Sequence, residues 1–395
     1  MIKSVCYQLF DICCHLLPVK KKRFFFESLG GQYNDNPKYI SQAIRESYPE
    51  IRQFWAISSK SKQNDIPDYV TVIPYGSLKY YFIKNTCRVV VENSAGLYVY
   101  HTKNRLVYRL KKLLKNKKQL DLATWHGNPI KHIGAQEPCN RDWKQGNVYC
   151  TADYMISGAS FVASVFEQAY LGLFPVILTG TPRTDILINT DDNTIQTLRK
   201  KLQLPIDKKI VLYAPTFRYT PEDSGVKQLT MIDYQRLFEM LHKKFGGEWC
   251  FVFRVHNMVL QALDTESIVK EQKVEGRILN GNLYDDMNEY LAASDVLISD
   301  YSGCVYDVAL TKKPCFLFAH DRTNYENKER GLYAPISIFP YSFADSFEEL
   351  LGNIDTYSED ETNKKRLEFL NKIGNVESGH SSKNVVEFIF EKLRK

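Results

Sequence analysis

The 395-residue chain holds nine cysteines but no C-x-x-C pair. It also has no apolar run long enough to span a bilayer. The odd cysteine count and the missing pair argue against a disulfide framework or a zinc ribbon and fit a reducing compartment. Val5 to Val19 is apolar in parts, but Asp11 and His15 interrupt it. The basic cluster Lys20, Lys21, Lys22, Arg23 follows this stretch instead of preceding it, so neither a signal peptide nor a spanning helix is expected. No carboxylate pair or histidine cluster stands at metal-ligand spacing, which predicts chemistry without a metal or other cofactor. The chain also lacks a P-loop, a dinucleotide fingerprint, an internal repeat and a low-complexity tract. Its aromatic residues are scattered without a stacking motif, which makes nucleic acid a poor partner.

Charge is unevenly placed. Residues 1 to 134 carry 22 Lys/Arg against 9 Asp/Glu, a balance of +13, whereas the remainder carries 30 against 37, a balance of −7. The partner of the front half is therefore anionic: a phosphate compound or an anionic membrane. The basic residues are densest from Lys103 to Lys118, eight Lys or Arg with no acid. Within this stretch Leu106, Leu110, Leu113 and Leu114 fall at helical spacing. It reads either as a helix lying in a membrane interface, with Arg105, Arg109, Lys111, Lys112 and Lys115 toward lipid headgroups, or as an ordinary core helix with a solvated basic face. Val5 to Leu17 with its trailing basic cluster is a second candidate for surface attachment.

With 44% hydrophobic residues the chain is long enough for two domains with separate cores. Apolar bursts alternate with amphipathic stretches, the pattern of an α/β protein with mostly parallel sheets. Strands are expected at Arg23 to Glu27, Phe54 to Ser58, Val70 to Ile73, Arg88 to Glu92, Leu120 to Thr124, Tyr154 to Ser157 and Val176 to Leu178, forming one doubly wound domain over residues 1–205. A second series begins at Lys209 and continues through Trp249 to Arg254, Val296 to Ser299 and Cys315 to Phe318. It makes a second doubly wound domain over residues 206–395, closed by C-terminal helices. Two such domains leave a cleft at their strand ends, where open α/β sheets bind ligands.

Five loops at strand ends stand out. Thr124-Trp-His-Gly-Asn-Pro129 places His126 in a loop where Gly127 permits close backbone approach and Pro129 fixes the exit. An imidazole there can accept a proton from a hydroxyl nucleophile, although a structural hydrogen bond is the plain alternative. Arg254-Val-His256 ends an apolar strand, so His256 could touch a phosphate while Arg254 braces the loop. Ser299-Asp-Tyr-Ser-Gly303 joins a strand to a helix, where the amides of Ser302 and Gly303 could hold a phosphate or simply be capped. Tyr213-Ala-Pro-Thr-Phe-Arg218 brings Arg218 to a strand end. In Gly180-Thr-Pro-Arg-Thr-Asp185, Arg183 and Asp185 read as a loop-fixing ion pair.

These motifs, in this order and spacing from about residue 120 to Asp321, Tyr325 and Arg330-Gly-Leu-Tyr333, resemble the CDP-glycerol glycerophosphotransferase family of teichoic acid synthesis. The resemblance implies a GT-B-like fold, two Rossmann-like domains facing a central cleft. It further implies transfer of a polyol phosphate from CDP-glycerol or another CDP-polyol to a hydroxyl of a lipid-linked saccharide, by an enzyme attached peripherally to the cytoplasmic membrane face. By motif, His126 is the base that activates the acceptor, and His256 binds the donor diphosphate or assists the departure of CMP. Ser302 and Gly303, together with Gly127, Asp300, Arg218 and Arg254, belong to the donor site. Asn128 stands where the family commonly carries threonine, and Gly303 where a second serine is usual. The length resembles that of short primase-like members. A GT-B glycosyltransferase using a UDP- or GDP-sugar, and a non-catalytic membrane-binding protein, are the competing expectations.

Overall fold

A computed structural model describes residues 2–59, 61, 66–94, 97–99, 113–137, 148–216, 229–255, 274, 276–322 and 331–394. The chain forms two compact units. One comprises Met1–His126, Ile133–Asp185 and Asn375–Lys395; the other comprises Gly127–His132 and Ile186–Gly374. A single cut near residue 205 therefore does not describe the chain. The loop after His126 and the helix before residue 205 lie with the second unit, and the C-terminal helix returns to the first.

The first unit runs α1 (Ile2–Cys14), β1 (Lys20–Glu27), α2 (Asp35–Ser47), β2 (Arg52–Ile57), β3 (Val70–Pro74), α3 (Leu78–Thr86), β4 (Cys87–Glu92), β5 (Leu97–Val99), β6 (Leu120–Ala123), β7 (Val148–Cys150), β8 (Tyr154–Ser157), α4 (Ser160–Ala169) and β9 (Val176–Leu178), and ends at Asp185, the first residue of the short α5 (Asp185–Ile188). Seven strands form a parallel sheet in the order β3-β2-β1-β4-β6-β8-β9, while β5 and β7 pair separately and antiparallel. In β1 the basic run Lys20-Lys21-Lys22 is exposed and Phe24-Phe25-Phe26 is buried. Alternate residues of the buried part serve opposite faces, as a strand requires. Phe24 and Phe26 pack with Trp55, Val89 and Val91 beneath Ile40 and Ile44 of α2. Phe25 packs with Phe54, Ile73 and Val90 beneath Tyr80 and Ile83 of α3.

The second unit continues with α6 (Asp192–Lys201), β10 (Lys209–Ala214), α7 (Tyr234–Phe245), β11 (Trp249–Phe253), β12 (Ile278–Asn280), α8 (Met287–Ala293), β13 (Val296–Ser299), α9 (Cys304–Val308), β14 (Cys315–Phe318), β15 (Ser342–Ala344), α10 (Phe347–Asp355) and α11 (Glu359–Lys372). Its six strands are parallel in the order β12-β11-β10-β13-β14-β15. Leu237, Phe238 and Leu241 of α7, with Leu350, Leu351 and Ile354 of α10, cover Val211, Tyr213, Phe251, Phe253, Val296 and Ile298. Asp191, Asp233 and Ser346 accept backbone N–H groups at the starts of α6, α7 and α10, satisfying donors that a helix leaves open.

The final helix, α12 (Ser381–Arg394), belongs to the first unit. Val385, Val386 and Ile389 complete the core beneath β1 and β2, and Asp185 accepts the N–H groups of Ser381 at 2.8 Å and Ser382 at 2.7 Å. In both sheets the strand order turns about one strand, β1 in the first and β10 in the second. The crevice beyond the carboxyl end of such a strand is where doubly wound sheets hold ligands. Among the described residues no helix is long and apolar enough to cross a membrane.

Candidate functional site

In the first unit the crevice is bordered by the residues that leave β1, β4 and β6: Ser28, Asn93 and the Thr124-Trp125-His126 turn. Thr124 N–H still donates to Glu92 O at 2.8 Å, prolonging the β6–β4 ladder. The chain then leaves the sheet abruptly through Trp125, whose φ of 54° lies in the left-handed region that a bulky residue adopts at a cost of about 1 kcal/mol or more. Asn36 holds that geometry by donating from Nδ2 to the carbonyls of Thr124 at 3.2 Å and Trp125 at 3.1 Å.

His126 emerges exposed, stacked on the Trp125 ring with centroids 4.3 Å apart. Its Nδ1 lies 3.0 Å from the backbone carbonyl of Asn93. A carbonyl oxygen only accepts, so Nδ1 carries the hydrogen and Nε2 is the ring's acceptor. The structural hydrogen bond expected as the plain alternative thus exists, and it leaves the other nitrogen suited to take a proton.

Arg183 pairs with a different acid from the one its sequence neighbourhood suggested. Its Nε lies 3.7 Å from Asp35 Oδ1, and Nη1 donates to His126 O at 3.4 Å. Asp185 is occupied as the cap of α12.

Lys115 corrects a sequence expectation. It does not face a membrane: Nζ donates to Asp153 Oδ2 at 2.9 Å and to Thr151 O, and lies 3.3 Å from Asp121 Oδ2. Burial pulls its ammonium down, yet Asp121 and Asp153 outweigh that and hold its pKa above the ordinary value. Asp121 itself is pushed up to about 6 by burial, with Lys115 opposing and Glu92 and Asp153 adding to the rise. Arg105, Arg109, Lys111 and Lys112 lie outside the described residues.

In the second unit Arg254 braces the backbone around it. Its guanidinium donates to the carbonyls of Gly281 at 2.7 Å, Tyr284 at 2.6 Å and Asp285 at 2.7 Å, and packs over the Tyr290 ring. Asp300 is likewise turned inward, fully buried, and its Oδ1 accepts the Thr216 N–H at 2.8 Å. The carboxylate thereby fixes the loop after β10 to the end of β13. Arg218 and His256 lie outside the described residues, as do Tyr325 and Arg330.

Ser302 and Gly303 are half-buried at the start of α9. Gly303 is packed so tightly that a Cβ there would stand 2.7 Å from the Asn128 carbonyl oxygen. Gly127, with φ 150°, opens the segment that makes this approach. The segment is strapped in place by Tyr333 N–H donating to Ile130 O at 2.9 Å and His132 N–H donating to Gly331 O at 3.1 Å, and the His132 ring packs on Tyr333. Asn128 and Gly303 are thus close neighbours. The sequence alone did not single out Asn36, Asp35 or Asn93. The available signal was Asn34-Asp-Asn-Pro37, rich in residues that tolerate left-handed backbone, and an asparagine directly after the strand β4 beside the switch point.

The profile of the family described as CDP-Glycerol:Poly(glycerophosphate) glycerophosphotransferase matches residues 9–391. The chain is 28% identical over 408 residues to the teichoic acid poly(glycerol phosphate) polymerase of Staphylococcus epidermidis, covering 98% of this chain and 53% of that protein. It is 29% identical over 392 residues to the Bacillus subtilis polymerase of the same description, covering 95% of this chain and 49% of that one. It therefore spans about half the length of these relatives. Against the teichoic acid glycerol-phosphate transferase of Staphylococcus aureus it is 24% identical over 418 residues, covering 99% of this chain and 98% of that protein. Among solved structures, the wall teichoic acid polymerase TagF matches with a TM-score of 0.78 at 24% identity, over 100% of this chain and 96% of that chain, and so shares its GT-B-like α/β fold. The chain belongs to the CDP-glycerol:poly(glycerophosphate) glycerophosphotransferase family.

Proposed function

We propose that the protein transfers a polyol phosphate, glycerol phosphate first among the candidates, from a CDP-activated donor to a hydroxyl of a lipid-linked saccharide or growing polymer at the cytoplasmic membrane face. The observation that carries this reading is the commitment of His126 Nδ1 to the Asn93 carbonyl on an exposed ring beside the switch point, within a family match that spans nearly the whole chain.

In this scheme His126 Nε2 takes the proton of the acceptor hydroxyl as its oxygen attacks the polyol-bound phosphorus. The new O–P bond forms, the P–O bond to the cytidylyl phosphate breaks, and the electron pair leaves with CMP. Such chemistry rests on positioning and charge stabilisation. Ser302 and Gly303 serve the donor diphosphate, with His256 and Arg218 completing the charge. Gly127 permits the close approach of its loop. Arg254 and Asp300 act one step back, shaping the loops after β11 and β10.

Attachment to an anionic membrane surface is supported by exposed Leu9, Leu16 and Leu113, which are 57%, 68% and 79% accessible, and by the exposed cations Lys20, Lys21 and Lys22. Asn116 Nδ2 donates to Leu17 O at 3.4 Å, tying the end of the basic stretch to the segment that follows α1. An apolar surface flanked by cations suits a bilayer interface.

The test is CMP release by the purified chain across CDP-glycerol, CDP-ribitol, UDP-sugars and GDP-sugars, with a lipid-linked or synthetic saccharide acceptor. Release is expected with a CDP-polyol, in the presence of EDTA as in its absence. His126→Ala should lower it by about 100-fold or more, the scale of a lost general base. Turnover of a sugar nucleotide, or of none of the donors, would refute the assignment.

A further inference from the structure

Every polar atom of the Asn93 side chain is engaged, although the residue lies in a loop and is only 2% exposed. Oδ1 accepts the Leu29 N–H at 2.7 Å. Nδ2 donates to Ser28 Oγ at 2.8 Å and to Asp35 Oδ2 at 2.9 Å. A side chain held at three points fixes its own backbone, and the backbone carbonyl of this residue is the group that receives His126 Nδ1–H.

Asp35 also reaches His126 by a second route. Its Oδ1 accepts the Asn36 N–H at 2.8 Å and lies 3.7 Å from Arg183 Nε, while Arg183 Nη1 donates to His126 O. Asn36, next in the chain, shapes the His126 turn from Nδ2 and receives Arg183 N–H on Oδ1 at 3.0 Å. Ring and backbone of one exposed histidine are thus set by a single buried network. The network includes two residues other than glycine at left-handed φ, Asp35 at 57° and Trp125 at 54°. Strain of that kind persists where surrounding contacts over-determine the conformation.

We propose that Asn93, held by Asp35, is the positioning residue that keeps His126 in its Nδ1–H tautomer with Nε2 presented to the acceptor hydroxyl. The inference rests on the reading of His126 as the base, and it deepens that reading by naming what orients the base. Outer partners that orient an imidazole are worth about 10- to 100-fold in activity where they orient metal-bound histidines, and the same scale is expected here.

The deciding experiment is the ¹⁵N spectrum of the full chain labelled at histidine, with the His126 signals assigned by their loss in His126→Gln. It is run beside the pH profile of CMP release. In the unsubstituted protein at alkaline pH, Nδ1 should be the protonated nitrogen. In Asn93→Ala the population should shift toward the Nε2–H tautomer, and kcat should fall about 10- to 100-fold with the donor KM within about twofold.

Asp35→Asn is the second variant, because asparagine accepts left-handed backbone well and can still receive the Asn93 amide. It should show a smaller shift of the same sign, and it decides the matter if Asn93→Ala does not fold. An unchanged His126 tautomer in a folded variant of either kind overturns the proposal. Full activity in His126→Ala would instead overturn the catalytic reading, while the spectrum would still report whether Asn93 sets the tautomer.

Discussion

A histidine and a glycine in separate motifs show how far one residue's role depends on contacts outside its own segment. His126 is legible in the sequence as an imidazole after a strand, but its usable nitrogen is set by a carbonyl 33 positions earlier, which no local pattern reveals. Gly303 reads in sequence as a helix-start residue whose amide could hold a phosphate. Its packing makes it a close-approach glycine, since a Cβ would fall 2.7 Å from a backbone oxygen that cannot swing aside. Gly303→Ala should therefore cost about 1–3 kcal/mol, the range for overpacking a tight site, read as a lowered thermal midpoint. If Ser302 and Gly303 serve the donor diphosphate, the donor KM should rise as well. An unaltered midpoint would mean that the Asn128 loop yields freely.

At the level of elements, hydrophobic periodicity located most strands and helices, because strands buried on both faces must be apolar throughout and amphipathic helices must repeat near 3.6 residues. The seven expected strands of the first sheet occur in the structure, including Phe24 to Phe26 and Val89 to Val91. The short edge strands β12 and β15 escaped notice because Ile278-Leu-Asn280 and Ser342-Phe-Ala344 each include a polar residue, whereas the equally short β9, Val176-Ile-Leu178, is apolar throughout.

Lys115 shows the opposite failure. A cation in a basic run reads as surface, yet it neutralises two acids where β6 meets the loop before β8. Lys115→Met should destabilise the chain by about 3 kcal/mol at pH 8, because it strands buried carboxylates. The penalty should depend on pH with a definite sign. Asp121 titrates at about 6 in the fold against an ordinary 3.8, so the folded state binds more protons and its stability declines as pH rises through 6. Removing Lys115 takes away the group that lowers this value. The gap in thermal midpoint between variant and parent should then narrow as pH falls from 8 to 5, and a gap that widened would contradict the buried-pair account.

For the whole molecule, charge is the property that sequence alone conveys best, because net charge is additive whatever the fold. The excess of +13 over residues 1–134 supports association with an anionic surface. The chain should co-sediment with anionic vesicles, the bound fraction should fall as salt rises, and Leu9→Asp with Leu16→Asp should weaken it several-fold by placing carboxylates on the exposed surface of α1 and of the turn that follows it. Equal binding to neutral vesicles at high salt would contradict the electrostatic part of this account.

By itself, then, the sequence determined the α/β class, the seven strands of the first sheet and four of the six in the second, the family and the loop that carries His126. Each of these follows from local periodicity or from residues adjacent along the chain. Only the tertiary structure decided that α12 completes the first unit across nearly 200 residues from Asp185, and that residues 127–132 pack with the second unit. It alone turned Arg254 and Asp300 inward and joined Asn93, Asp35 and Arg183 around one imidazole. A buried polar group must find its partner wherever the fold brings one within about 3 Å, and no local pattern names a partner that lies far along the chain.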